Sequence, residues 1–290
     1  MATKGRRELA EKIVTPSKLQ YPTFLMNFPF TVSNEIRNNV LMKDVEPYNY
    51  PRAFAQWLDL YGSIIDAGGL VYILPSERDF QDLPYVANMG CYLPHLEEDV
   101  VLVSNFYSPP RMGEEVIGVK FFDMMRYTTR MCPHYWEGEA DLKWLHDNVY
   151  VAPHGIRTEK AAHAWMESNF FMKVIPLELT DNKLYHLDCV LFPLTNEKTV
   201  VATSVLQDED LAVLEKETEI LDIPKEFIYN GWTNAVRIGK TIFHASDSSN
   251  REIEHFYGKH GFDTRPIVLN EFDKSGADLS CLIMHFNYIR

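Results

Sequence analysis

The 290-residue chain is 46% hydrophobic and 13% aromatic, too apolar for a disordered polymer and long enough to bury one large core or two ordinary ones. A formal net charge of −13, from 28 Lys and Arg against 41 Asp and Glu, disfavours nucleic acid, whose phosphates need clustered positive charge, and favours a small cationic partner. No apolar run approaches the roughly 18 to 20 residues of a membrane span, and the polar opening MATKGRRELAEKIVTPSKLQ reads as neither signal peptide nor anchor. Cys91, Cys132, Cys189 and Cys281 stand far apart with no C-x-x-C pair, as free thiols of a cytoplasmic protein do.

In chain order, PRAFAQWLDLYGSIIDAGG places Phe54, Trp57, Leu58, Tyr61, Ile64 and Ile65 at helical spacing and stops at Gly68-Gly69, which predicts an amphipathic helix. LVYILPS and DVVLVSNF follow as buried strands, and GEEVIGVKFFDMMRYT as a second helix. NVYVAP leads through HGIR into the helix TEKAAHAWMESNFF, with Thr158 as its N-cap. FMKVIPLEL, KLYHLDCVLF and KTVVATS read as strands, DEDLAVLEKE as a charged helix, and NAVRIGKTIFHAS as a strand pair turning at Gly239-Lys240. NREIEHFYGKHG is a further helix, and RPIVLNEF and LIMHFNYI close the chain as strands. Strand, helix and strand recur at intervals of about 50 residues without a linker, which predicts a mixed α/β fold compatible with internal repeats.

Three stretches carry residues suited to chemistry. On a strand, LYHLDC puts His186 and Asp188 on one face and Leu187 and Cys189 on the other. Cys189 is then a poor partner for His186, and any nucleophile must come from elsewhere; by residue type alone a hydrogen-bonded core pair ranks ahead of catalysis. In YWEGEADLKWL an extended backbone would align Glu137, Glu139 and Asp141, a costly arrangement unless the carboxylates grip a guanidinium or a metal, or lie in a solvated loop. In DKSGADLSCLIM, Lys274, Ser275, Gly276 and Asp278 form a flexible turn ahead of Cys281, which is either a presented nucleophile or a small buried hydrophobe opening a strand. IGKT is no phosphate loop, because Asn234 stands where its first glycine is needed. The ten histidines show no H-E-x-x-H or comparable spacing, so no metal site is expected.

Taken in order, YVANMG (85–90), SPPRMGEE (108–115), WEGEAD (136–141), HGIRT (154–158), YHLDC (185–189) and NEFDKSGADLSC (270–281) resemble the motif series of the guanidino-group-modifying superfamily. That superfamily includes arginine deiminases, dimethylarginine dimethylaminohydrolases, glycine amidinotransferases and arginine dihydrolases, and the match runs from about residue 24 to the C-terminus. The resemblance implies the pentein fold, a five-module α/β propeller with pseudo-fivefold ββαβ repeats around a central active-site channel. It implies a single catalytic domain over 21–290 behind an N-terminal extension of 1–20.

By the same resemblance Cys281 is the nucleophile, His186 the general acid and base, and Asp188 the carboxylate of the H-x-D motif. Glu137 takes the glutamate position of the E-G-G-D motif, Asp141 closes it, and Glu139 is an additional acid of that substrate-binding stretch. Arg111 and Arg157 are implied ligands for a substrate carboxylate. Asn39, in NNVLM, sits where related dihydrolases have N-P-W-M, and Ala277 replaces the second glycine of the usual S-G-G. No metal or organic cofactor is implied; a homo-oligomer is, since relatives often assemble.

The residue types fit the chemistry. A guanidinium is a planar, resonance-stabilised cation, so attack needs a strong nucleophile and carboxylates to hold the cation. Cys281 would attack as thiolate, its pKa depressed by a charged His186, which then protonates the departing nitrogen and activates water on the thiouronium adduct. Deiminases and dimethylaminohydrolases carry an aspartate where this chain has Asn88. A carboxylate only accepts hydrogen bonds, whereas an asparagine donates and accepts and so can also hold a ureido group. The resemblance therefore implies a dihydrolase releasing ornithine, two ammonia and carbon dioxide from L-arginine. The alternatives are a deiminase-type hydrolase giving citrulline, an amidinotransferase, or a catalytically silent ligand-binding pentein.

Overall fold

The computed structural model describes residues 14–246 and 250–289. Short β-branched and aliphatic runs build its sheets, and a helix links strands within each unit. Thr23–Asn27 (β1), Tyr50–Asp66 (α1) and Leu70–Leu74 (β2) start the first unit. The second holds Gly90–Tyr92 (β3), Val100–Val103 (β4), Glu114–Met124 (α2) and Thr128–Met131 (β5). The third holds Lys143–His146 (β6), Val149–His154 (β7), Lys160–Phe170 (α3) and Lys173–Glu178 (β8). The fourth holds Leu191–Pro193 (β9), Lys198–Val201 (β10), Asp208–Leu214 (α4) and Glu219–Asp222 (β11). After the short helix Lys225–Ile228 (α5), the fifth holds Ala235–Ile238 (β12), Thr241–Ala245 (β13), Arg251–Lys259 (α6) and Asp263–Ile267 (β14). Finally, Met284–His285 (β15) returns to β1.

The described residues thus form five three-stranded sheets of one pattern. The middle strand pairs antiparallel with the strand before it and, through the helical crossover, parallel with the strand after it. In the first sheet the antiparallel place is filled from the other end of the chain, with Phe24 opposite His285 and Leu25 opposite Met284. This closes a five-module α/β propeller. Apolar clusters bridge neighbouring modules: Val151, Ile175, Val200, Leu221 and Ile242 join the third to the fifth, and Phe24, Ile64, Phe243 and Ile267 join the first to the fifth. Each fully buried Val, Leu, Ile or Phe contributes about 1.5–3 kcal/mol, so the contacts that seal the ring also stabilise it.

Several local expectations need correction. α1 is capped by Asn49, whose side chain accepts from Arg52 N, and buries Trp57 and Ile64. Leu58 and Ile65, read as part of its apolar face, are 53% and 40% exposed. β2 is largely half-exposed rather than buried. Thr158 does not cap α3: the cap position is Glu159, and the Thr158 hydroxyl donates to Asp141 Oδ2 at 2.7 Å. KLYHLDCVLF is not one strand, since Leu187–Cys189 is a 3-10 turn and only Leu191–Pro193 pairs. Cys281 likewise lies in a 3-10 turn, Ser280–Leu282, ahead of a two-residue strand. In these last two turns a distant side chain takes a backbone N–H that a regular ladder would have used: Leu187 N donates to Asp141 Oδ1 and Ser280 N to Asn234 Oδ1. The hairpin at Gly239-Lys240 is as expected, with Gly239 at φ 59°.

Of the residues read as an N-terminal extension, 1–13 lie outside the described residues. Thr15 and Ser17 donate to Asp99 at 2.6 and 2.7 Å. No helix among the described residues is long and apolar enough to cross a membrane.

Candidate active site

The turn that precedes the first strand of each module brings one side chain to the central cavity or beside it. Val86–Asn88 precedes β3, Gly138–Ala140 precedes β6, Leu187–Cys189 precedes β9 and Ser280–Leu282 precedes β15. In the fifth module Asn234 stands directly before β12. Asn88, Glu137, His186 and Cys281, far apart in sequence, therefore line one small cavity. Arg111, Arg157 and Asn39 reach the same cavity. Tight turns suit this placement, because a strand would carry alternate side chains away from the centre.

His186 Nε2 lies 2.7 Å from Glu137 Oε2 and 3.3 Å from Asn88 Nδ2. Asn88 Nδ2 also donates to the Glu137 carbonyl at 3.3 Å, and the Asn88 carbonyl accepts from Ser104 Oγ at 2.5 Å. Burial alone would push the Glu137 carboxyl up. The His186 hydrogen bond and the Arg157 and Arg111 charges outweigh it and hold the carboxyl at about 2. Arg157 Nη1 stands 3.3 and 3.4 Å from the Glu137 oxygens, its Nη2 donates to Asn38 O at 2.6 Å, and its guanidinium lies over Tyr185. Arg111 is more firmly committed: it grips Glu114 at 2.7 to 3.2 Å and donates to the carbonyls of Asp82 and Tyr85.

Cys281 is buried beside Asp188, with Sγ 3.7 Å from Oδ2, and Asp188 Oδ2 also accepts from Ser280 Oγ at 2.7 Å. Burial, and after it the Asp188 charge, push the Cys281 thiol up. A depressed thiol pKa was the expectation from the residue types, and the structure overturns it for the unliganded protein: the nearest ionisable neighbour is an anion, and His186 is engaged with Glu137.

The acidic stretch is a turn, so its three carboxylates do not share a face. Glu137 alone faces the cavity. Asp141 is buried behind it, accepting from Thr158 Oγ1 and from Leu187 N at 3.2 Å, and so anchors the turn that follows His186. Burial pushes the Asp141 carboxyl up to about 6 against the lowering effect of His186. Glu139 is not brought to the cavity at all: its carboxylate takes His285 Nδ1 at 2.6 Å and His285 N at 2.7 Å at a separate hollow with Lys143 and Trp144. Asn39 lines the cavity with its amide engaged, donating to Ser275 O at 2.9 Å and accepting from Leu41 N at 3.0 Å.

Two residues at or beside the cavity have no site role by sequence. Asp82 lines the cavity, 1% exposed, with Oδ2 accepting from Asn38 at 2.6 Å and Oδ1 left without a hydrogen-bond partner. Asn234 touches Cys281 and had been noted only for spoiling a phosphate loop. Lone Asp and Asn residues in loops carry no local signal. Among the described residues no three His, Cys, Asp or Glu side chains converge as a metal-ligating group.

No family model matches the chain. Dimethylarginine dimethylaminohydrolase of Mycobacterium tuberculosis is 26% identical over 252 residues, spanning 86% of this chain and 80% of that protein. The bifunctional arginine dihydrolase/ornithine cyclodeaminase ArgZ of Synechocystis sp. is 27% identical over 240 residues, spanning 80% of this chain and 33% of ArgZ. The chain thus corresponds to about a third of that bifunctional relative. The substrate-bound N-terminal domain of ArgZ superposes with a TM-score of 0.84 at 22% identity, over 92% of this chain and 98% of that domain. Five ββαβ modules around a central site are the pentein fold, as the match to that domain shows. In sequence the chain is similar to guanidino-group-modifying enzymes, and in fold to the pentein domain of one of them.

Proposed function

We propose that the protein hydrolyses the guanidino group of L-arginine through a covalent Cys281 adduct, to ornithine, ammonia and carbon dioxide. The observation that carries this reading is Asn88 beside His186 and Glu137 in the buried cavity. An amide there can accept from a guanidinium N–H and donate to a ureido oxygen, so both the substrate and a citrulline intermediate can be held. Similarity to ArgZ, named an arginine dihydrolase, supports it.

A substrate cation enters a cavity whose free acceptor is Asp82 Oδ1 and whose ionised carboxylate is Glu137. Arg157, held to Glu137 at 3.3 Å or more, is better placed to turn to the substrate carboxylate than Arg111, which Glu114 neutralises. The bound cation offsets the burial and the Asp188 charge that keep the resting thiol protonated. The thiol proton passes toward Asp188 Oδ2, and the sulfur pair forms the C–S bond. His186 protonates the departing nitrogen as the C–N bond breaks and ammonia leaves. Water, deprotonated by the same histidine, then adds to carbon, and the C–S pair returns to sulfur. A second round on the ureido carbon, with Asn88 as donor, completes the hydrolysis. The sum is arginine and two waters to ornithine, carbon dioxide and two ammonia.

The test is a product assay with L-arginine, quantifying citrulline, ornithine and ammonia, with Cys281→Ala as control. Ornithine and ammonia in a one-to-two ratio, absent in the control, is the expected result; citrulline alone would replace the reading with a single-step hydrolase. The match to a dimethylarginine dimethylaminohydrolase over 86% of the chain favours a second substrate for the same assay. Citrulline and dimethylamine from dimethylarginine, with arginine inert, would establish that alternative.

A further inference from the structure

We propose that Asn234 is a catalytic residue: its side-chain N–H, together with the backbone N–H of Asp278, receives the negative charge of Cys281 Sγ when the thiolate forms and again when it is expelled. Asn234 Nδ2 and Asp278 N each lie 3.5 Å from Sγ. Hydrogen bonds to sulfur are long, and two converging donors suit an anion better than a thiol, which needs an acceptor for its own proton. The nearer acceptor is Asp188 Oδ2, 3.7 Å from Sγ; Asn234 Oδ1, at 3.9 Å, is already taken by Ser280 N. The sulfur therefore sits between one group that holds its proton and two that hold its charge.

The orientation of the amide follows from its other contact. Ser280 N, a backbone donor with nothing else to do, lies 2.7 Å from Asn234 Oδ1. Only an oxygen can accept there, so the NH₂ end faces Cys281. The same Ser280 fixes Asp188 through its hydroxyl, so one residue adjacent to the nucleophile aligns both the acceptor and the donor. Asn234 is 2% exposed, where a donor aimed at a developing anion is not diluted by water. It also occupies the turn before the first strand of the fifth module, the place from which the other four modules deliver Asn88, Glu137, His186 and Cys281. The fifth module thus has its own contribution to the centre.

This inference rests on the covalent-adduct reading. In adduct formation the sulfur pair makes the C–S bond as the C–N bond breaks; in hydrolysis the C–O bond forms and the C–S pair returns to sulfur. Asn234 changes no bond and takes no proton in either step.

The experiment is alkylation of the full-length protein by iodoacetamide across pH, with Cys281 followed by peptide mass, in wild type, Asn234→Ala and Asn234→Asp, without substrate. Removing one donor is expected to raise the midpoint by about one unit, or about ten-fold less thiolate at a fixed lower pH. Asn234→Asp still accepts from Ser280 N but sets a second carboxylate against the sulfur, and is expected to raise the midpoint further. Should Asn234→Ala fail to fold, the aspartate variant decides by the same curve. With whichever guanidino substrate turns over, kcat falls and KM changes less than about two-fold, as for a group that acts on the reacting atom. A wild-type midpoint in Asn234→Asp overturns the proposal. Because the curve needs no substrate, failure of the arginine reading leaves it interpretable.

Discussion

Glu137 and Asp141 are four residues apart and fully buried, yet their carboxyls are driven in opposite directions. Burial raises both, but at Glu137 His186 and Arg157 outweigh it and hold the carboxyl at about 2, while at Asp141 it outweighs the His186 charge and pushes the carboxyl up to about 6. The signs for stability are opposite too. The depressed Glu137 carboxyl contributes stability that is complete above its ordinary 4.5 and is lost as pH falls toward 2. The raised Asp141 carboxyl stabilises most when protonated, below its ordinary 3.8, and that contribution is lost as pH rises through about 6. Asp141→Asn can accept from Leu187 N and donate to Thr158 Oγ1, so it is expected to keep the fold and to abolish its share of the decline in melting temperature between pH 4 and 6. Thermal melts across that range check it. Glu137→Gln is expected to lower kcat by about 10²–10⁴-fold, the range for a group supporting acid–base catalysis, as initial rates would show. Wild-type Cys281 is expected to alkylate with a midpoint above the roughly 8.5 of an ordinary thiol, because burial and Asp188 both oppose its ionisation.

Two glycines, one in a turn before a first strand and one in a hairpin, are required by different means. Gly138, inside the acidic turn, has φ 66°, and a Cβ there would stand 2.5 Å from Ala87 O and 2.6 Å from the Asn88 carbonyl carbon. The turn holding Glu137 and the turn holding Asn88 are therefore in backbone contact, with no room between them. Gly239, at the tip of the β12–β13 hairpin, has φ 59° but nothing within 4 Å of the added carbon. Gly239→Ala is expected to cost about 1 kcal/mol for the left-handed backbone and to leave kcat unchanged. Gly138→Ala carries the same strain and also pushes Asn88 away from His186, so activity falls well beyond the loss of stability. Urea unfolding and steady-state kinetics on both variants separate the two effects. The hairpin was legible because Gly-Lys between two alternating runs is a local signal. The acidic turn was not, because what bends it is the backbone of another module.

Ring closure depends on the last described residues. β15 supplies the antiparallel strand of the first sheet, and Asn287 Oδ1 accepts from Thr23 N at 3.1 Å. His285 also carries the partner of buried Glu139. His285→Ala leaves that buried carboxylate with the residue 285 backbone N–H but without its side-chain donor and is expected to destabilise the protein by about 1–3 kcal/mol, measured by urea unfolding. KM for the guanidino substrate is expected to stay unchanged, since Glu139 lies outside the cavity. A drop in affinity in this variant would restore the substrate-binding role that the sequence suggested for Glu139.

Alternating strands and helices could be read from the chain because periodicity is a local property, whereas Cys281, His186, Asp188, Glu137 and Asn88 were singled out only by the resemblance of the motif series to a known superfamily. Only the tertiary structure decided that Glu137 rather than Glu139 meets His186, that Asp141 serves as a buried anchor, that the resting thiol is held protonated, and that Asn234 faces it. The physical reason is shared: each depends on which turns the closed ring brings together, and burial and charge at the centre are set by residues from five separate modules.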